Sequence, residues 1–188
     1  QAAAEANGWT LLSDSSWPGY SDLSHRLMEG YTVFMAEADR QISAPTHIFL
    51  QAGVGGLAGA AAAMARKLWG DAPVIVVVEP QYAPALHGCI QAGDFVPAKG
   101  PGSAMGRLDC LEASLIALKG LAKDADVFAL ISEEEGQAGA DYAAAHQMES
   151  TASGAAGLAA LLASPAHRAA LKLDANSHVL VILSEGPE

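Results

Sequence analysis

The sequence predicts an α/β domain built on a parallel, twisted sheet with helices on both faces. Two observations carry that expectation. Apolar runs such as residues 74–78 and 127–131 show no polar alternation, as expected of strands covered on both sides. Stretches of helical composition, ten or more residues long, separate most of the strands, which suits right-handed crossovers between parallel neighbours.

In chain order, residues 1–7 read as the last turn of a helix stopped by Gly8. With no initiator methionine, residue 1 is expected to lie inside a longer polypeptide or to open one product of a split gene. Residues 9–12 form a short apolar strand ending near Asp14, and Trp17, Pro18, Gly19 and Tyr20 make a turn. Residues 23–42 give a helix with Leu27, Tyr31, Phe34 and Ala38 at helical spacing, ended by Pro45. Residues 47–50 are a buried strand, a glycine-rich loop follows at once, and residues 60–69 are an alanine-rich helix. The β-branched strand 74–78 is closed by Glu79 and Pro80. A helix over 83–92, a short strand at 95–96 and a glycine-punctuated loop over 99–106 come next. Residues 108–121 read as helix, 127–131 as strand and 133–148 as helix; a further helix opens at 153–158 and a last strand spans 178–183.

Composition removes several classes of function. The 188 residues suit one ordinary domain, or a domain with part of a neighbour. Half the chain is apolar (51%) and only 16% is charged, which excludes intrinsic disorder. Ten Lys and Arg stand against 21 Asp and Glu with no basic cluster, so no nucleic-acid partner is expected. The apolar runs are too short to cross a bilayer and no signal peptide opens the chain, so no membrane or secretory role is expected. Cys89 and Cys110 form no close pair; they read as two buried thiols in a reduced, cytoplasmic setting, although the spacing also allows one bridge. Six histidines without ligand spacing give no metal site. Glu133, Glu134 and Glu135 read as a solvated helix start, and Trp9, Trp17 and Trp69 as core or interface packing.

The most informative segment is Gly53, Val54, Gly55, Gly56, Leu57, Ala58 and Gly59, between a buried strand and a helix. Glycines let the main chain turn sharply there, and the helix start adds unpaired N–H groups aimed at an anion. Three readings fit the loop: a tight strand-to-helix turn, a dinucleotide-binding turn with Glu79 as the ribose acid, or a cradle for a single phosphate group. The loop does not separate them. A dinucleotide fingerprint, however, normally sits on the first strand of its domain, and here a strand and a long helix precede it.

Four segments carry a family resemblance: Ser13, Asp14, Trp17, Gly19 and Tyr20; Pro45 through the glycine loop; Val77, Val78, Glu79 and Pro80; and Ser153, Gly154, Ala155 with Ser184, Glu185 and Gly186. On these the whole chain resembles pyridoxal-phosphate (PLP) enzymes of the tryptophan-synthase-like fold, fold type II, and within them the C-terminal half of the diaminopropionate ammonia-lyase family. The segment from Asp14 to Tyr20 separates that family from the serine and threonine dehydratases, which remain the alternative beside a Rossmann-like domain.

The resemblance implies a site. Gly53, Val54, Gly55, Gly56 and Leu57 would hold the phosphate of pyridoxal 5'-phosphate. Ser184 would contact its pyridine nitrogen, leaving the ring a weaker electron sink, which suits β-elimination. Asp14 would act in proton transfer at the substrate Cα, with burial beside Trp17 raising its pKa; the local alternative is a helix cap or Asx turn. Residues 1–25 would end a smaller domain and 26–188 would form the large phosphate-binding domain. The cofactor-binding lysine would lie upstream of residue 1, since Lys67, Lys99, Lys119, Lys123 and Lys172 stand in the wrong context. The implied partners are a small amino-acid substrate, the N-terminal half of the same enzyme and a second copy in a homodimer. The implied reaction is α,β-elimination of 2,3-diaminopropionate to pyruvate and ammonia. A catalytically dead half that binds a phosphate ligand is the non-enzyme reading. Two positions depart from the family: Thr151 and Ala152 stand where relatives usually carry a glutamate, and Pro18 where an acidic residue is common.

Overall fold

The computed structural model describes residues 2–186; Gln1, Pro187 and Glu188 lie outside that range. Helix α1 (Ala2–Asn7) stops at Gly8, whose φ of +66° is a left-handed terminator. The strand expected at residues 9–12 does not form. A strand needs a ladder, and this segment has no partner among the described residues; Trp9 and Leu12 are 66% and 64% exposed, so Trp9 is not packed in a core. The turn after it does form. Trp17 and Tyr20 exchange main-chain hydrogen bonds across Gly19 (φ +90°), and their rings stack 4.3 Å apart.

The remaining elements are α2 (Asp22–Asp39), β1 (His47–Gln51), α3 (Gly56–Trp69), β2 (Val74–Pro80), α4 (Ala85–Ala92), α5 (Leu115–Asp124), β3 (Val127–Ile131), α6 (Glu133–Ala145), α7 (Ala156–Ala163), α8 (Arg168–Leu171) and β4 (Val179–Val181), with a 3-10 turn over Ser164–His167. The four strands form one parallel sheet in the order β3-β2-β1-β4. His47 sits between Val74 and Val179, which fixes the register of the three strands it joins. Because β1 and β2 lie inside the sheet, alternate residues feed two cores. Ile48, Leu50, Ile75 and Val77 pack on the alanine face of α3, and Phe49, Val76 and Val78 pack on Met105 and α7. Helices therefore cover both faces, as the unbroken apolar strands require.

Several boundaries differ from the sequence reading. Helix α3 starts at Gly56, so half of the glycine segment is already helix. Residues 95–96 make no strand; the Cys89 thiol donates to the Val96 carbonyl (3.1 Å) and ties the loop back to α4. Residues 108–114 are irregular, and α5 begins only after Ser114. Leu108 is buried in the second core, and the Ser114 hydroxyl is taken by Ser16 (Oγ to Oγ 2.8 Å). Ser16 in turn accepts from the Ile116 N–H through its hydroxyl (2.9 Å) and from the Leu115 N–H through its carbonyl (3.0 Å). A residue about a hundred positions away thus caps α5 in place of its own Ser114. Helix α6 ends at Ala145, and β4 is shorter than its apolar run. Among the described residues no helix is long and apolar enough to cross a membrane.

Candidate functional site

The strand order creates the site. From β1 the chain moves through β2 to β3 on one side, while β4 lies on the other, so crossovers leave β1 in opposite directions. A crevice opens at the carboxyl ends of strands at such a reversal. Here it is a cleft of about 360 Å³ between the glycine bend after β1 and the segment after β4. Asp14, Gly53, Val54, Gly55, Gly56, Leu57 and Ser184 all line it, so every predicted site residue lies on one cleft, joined by Gln51, Arg107, Cys110 and Glu185.

The bend is built for close approach. Gly55 has φ +99° as N-cap of α3, and a Cβ there would sit 3.0 Å from Leu86 Cδ1. A Cβ on Gly53 would lie 3.0 Å from both the Arg107 carbonyl oxygen and Cys110 Sγ. With glycine at the N-cap, no side chain satisfies the first turn of α3. Among the described residues, the N–H groups of Gly53, Gly55, Gly56 and Leu57 have no main-chain acceptor. Unpaired amides at a helix N-terminus, backed by the helix dipole, accommodate a phosphate without a cation.

Val54 differs from its neighbours. Its carbonyl accepts from the Ser114 N–H (2.9 Å), and its N–H is hydrogen-bonded to the Cys110 thiol. Burial pushes the Cys110 thiol up, the Asp14 and Asp109 carboxylates push it further, and the Val54 N–H opposes them. The sequence reads Cys110 as a buried thiol or one half of a bridge; both cysteines are free and Cys110 is half-buried, and nothing local in its sequence marks it as a neighbour of Gly53.

Asp14 is exposed, without the burial expected beside Trp17. It caps no helix: the N-cap of α2 is Ser21, and the local turn is made by the Ser13 hydroxyl, which accepts from the Ser15 N–H (3.2 Å). The attachment of Ser16 to α5 holds the segment over the cleft. Ser184 lies three residues past β4 and is exposed; its hydroxyl oxygen accepts from Gln51 Nε2 (3.0 Å). Thr151 Oγ1 donates to Glu185 Oε2 at 2.5 Å, joining the departing Thr151 to the cleft wall.

Glu79 faces elsewhere. It is fully buried, and its two oxygens accept from the Leu86 and His87 N–H groups at 2.7 Å each. Pro84, the N-cap of α4, has no side-chain acceptor, and Glu79 supplies it from the end of β2. Burial pushes this carboxyl from 4.5 up to about 7, against the pull of those two N–H groups. An acid so engaged is not presented to a ribose, which removes the dinucleotide reading's second requirement. Lys67, Lys99, Lys119, Lys123 and Lys172 are all exposed, and none lines the cleft.

A parallel sheet with unpaired main-chain amides at its reversal point is the frame of cofactor-binding α/β domains. The chain belongs to the pyridoxal-phosphate dependent enzyme family, whose model matches residues 1–185. Diaminopropionate ammonia-lyase of Salmonella typhimurium (strain LT2) is 32% identical over 204 residues, covering 97% of this chain and 50% of the relative. A crystal structure of diaminopropionate ammonia lyase from Escherichia coli, in complex with an aminoacrylate-PLP azomethine reaction intermediate, superposes with a TM-score of 0.89 at 28% identity, over 98% of this chain and 51% of that one. Threonine deaminase isoform 2 from Solanum lycopersicum shares the fold, with a TM-score of 0.83 at 17% identity, over 100% of this chain and 51% of that one. The chain spans about half the length of the curated relatives it matches.

Proposed function

We propose that the whole protein is a PLP-dependent lyase that eliminates ammonia from 2,3-diaminopropionate and yields pyruvate and a second ammonia. The observation that carries this reading is the set of unpaired amides at Gly53, Gly55, Gly56 and Leu57, on the same cleft as Ser184 and Asp14. When bound, the cofactor supplies an electron sink conjugated to the substrate Cα. The chain's own residues do the rest of this half of the work. The bend binds the phosphate through main-chain N–H groups and the dipole of α3. Ser184 offers the ring nitrogen a neutral hydroxyl in place of a carboxylate, which keeps the nitrogen unprotonated. Asp14 carries a proton at the substrate Cα from its held position at the cleft mouth. The lysine that anchors the cofactor belongs to the part of the relatives this chain does not span.

The same reading takes residues 1–25 as the end of a smaller domain and 26–188 as the larger one. A homodimer and a role in amino-acid degradation rest on the family resemblance, and a cytoplasmic location on the two free cysteines. The turn residues Trp17, Gly19 and Tyr20 favour the diamino substrate over the hydroxy amino acids of the dehydratases. The test uses the whole protein, measuring its visible cofactor absorbance and pyruvate release from 2,3-diaminopropionate and from serine. Asp14→Asn is expected to lower kcat roughly a hundredfold or more while the cofactor stays bound. A colourless protein, or one that releases pyruvate from serine alone, refutes the proposal.

A further inference from the structure

The side chain of Gln51, the last residue of β1, is 3% exposed and lies behind Ser184. Its Nε2 is surrounded by three acceptors: the Gly154 carbonyl (2.9 Å), the Ile182 carbonyl (2.9 Å) and Ser184 Oγ (3.0 Å). Among the described residues its Oε1 has no hydrogen-bond partner; it is buried against the bare Cα of Gly157, where a Cβ would come within 3.0 Å. Only one orientation of the amide fits. Turned over, Oε1 would face two carbonyl oxygens, which have no proton to give.

That orientation has a consequence for Ser184. A hydroxyl has one proton and can accept or donate, and its rotor is free unless a neighbour fixes it. Here the neighbour is an amide nitrogen, which shares two protons among three acceptors and accepts none itself, so the Ser184 proton points away from Gln51, toward the cleft. We infer that Gln51 is a positioning residue: it holds Ser184 as a hydrogen-bond donor to the cofactor's ring nitrogen, and so keeps that nitrogen unprotonated. The inference rests on the proposed PLP site. Gly154 at the entrance to α7 and Ile182 after β4 accept from the same two amide protons, so the amide also ties together the walls that carry Ser184.

The experiment is a double-mutant cycle in the whole holoenzyme, crossing Gln51→Glu and Gln51→Met with Ser184→Ala. The readouts are PLP affinity, the position of the visible band and its response to pH. Gln51→Glu puts an acceptor behind Ser184 and turns its proton inward. Affinity is expected to fall roughly tenfold, as for one reversed hydrogen bond, with the band and its pH response altered as in Ser184→Ala. In the Ser184→Ala background, neither Gln51 variant changes the band further. Equal spectral effects in both backgrounds overturn the inference, because a merely structural glutamine would act without Ser184. Ser184→Ala leaves both carbonyl bonds of Gln51 intact. Its own spectrum therefore decides the case if a Gln51 variant fails to fold: a band and pH response equal to wild type refute the role of the serine, and of Gln51 with it. Failure of the wild-type protein to bind PLP at all is a separate result, and it removes the underlying site.

Discussion

Glu79→Gln tests the strongest electrostatic statement in the fold. Folding raises the Glu79 carboxyl from 4.5 to about 7, chiefly through burial. An acid with a raised folded-state pKa binds its proton more tightly in the native chain than in the unfolded one. Its stabilising contribution is therefore complete below pH 4.5 and is lost as the pH climbs to about 7. Each unit is worth about 1.4 kcal/mol, so the loss across that window is about 3 kcal/mol. Glutamine has nearly the shape of the protonated acid and does not titrate. Its Nε2 cannot accept from the second N–H group, so the variant should start about 1–3 kcal/mol below wild type at the acid end and should not lose stability further as the pH rises across the window. Urea unfolding of the whole protein, followed by circular dichroism across the window, reads the difference. If the glutamine variant loses stability with rising pH as steeply as wild type does, the titrating group is not Glu79 and the burial argument fails.

Gly55→Ala forces a side chain into φ +99° beside Leu86, at roughly 1–2 kcal/mol, and should weaken PLP binding by the shift it imposes on the amides; cofactor titration reads it, and unchanged affinity counts against the bend as the phosphate site. Ser132→Ala removes the capping box in which Ser132 Oγ accepts from the Glu135 N–H (3.2 Å) and Glu135 Oε2 from the Ser132 N–H (2.8 Å). About 1 kcal/mol of stability should go with it, seen as a lower urea midpoint with cofactor affinity intact. Gly139→Ala places a Cβ 2.6 Å from Ala159 Cβ where α6 crosses α7, and should destabilise by about 1–3 kcal/mol through overpacking; a neutral effect in the same assay would mean the two helices can part.

The strands of the core were legible because burial on both faces leaves unbroken apolar runs, as in Val74 to Val78. The glycine bend was legible because its chemistry is local. The false strands at residues 9–12 and 95–96 had apolar composition, but a strand is a pairing and composition does not supply a partner. The late start of α5 came from tertiary capping by Ser16, which no window around Ser114 contains. The same reason hid Cys110 and Gln51: their places in the site depend on which distant segments meet. Asp14 and Ser184 were named through family resemblance, and their presence on one cleft follows from the strand order.

Gln51 and Ser184 stand 133 positions apart in the sequence. A chain emerging from the ribosome therefore displays its glycine bend long before the opposite wall of the cleft has been translated. Closing so long a span carries an entropic cost that rises only slowly with length, and the pairing of β4 with β1 has to meet it. The cleft is therefore complete only once β4 has paired with β1, and a chain halted before β4 would have the glycine bend without its second wall.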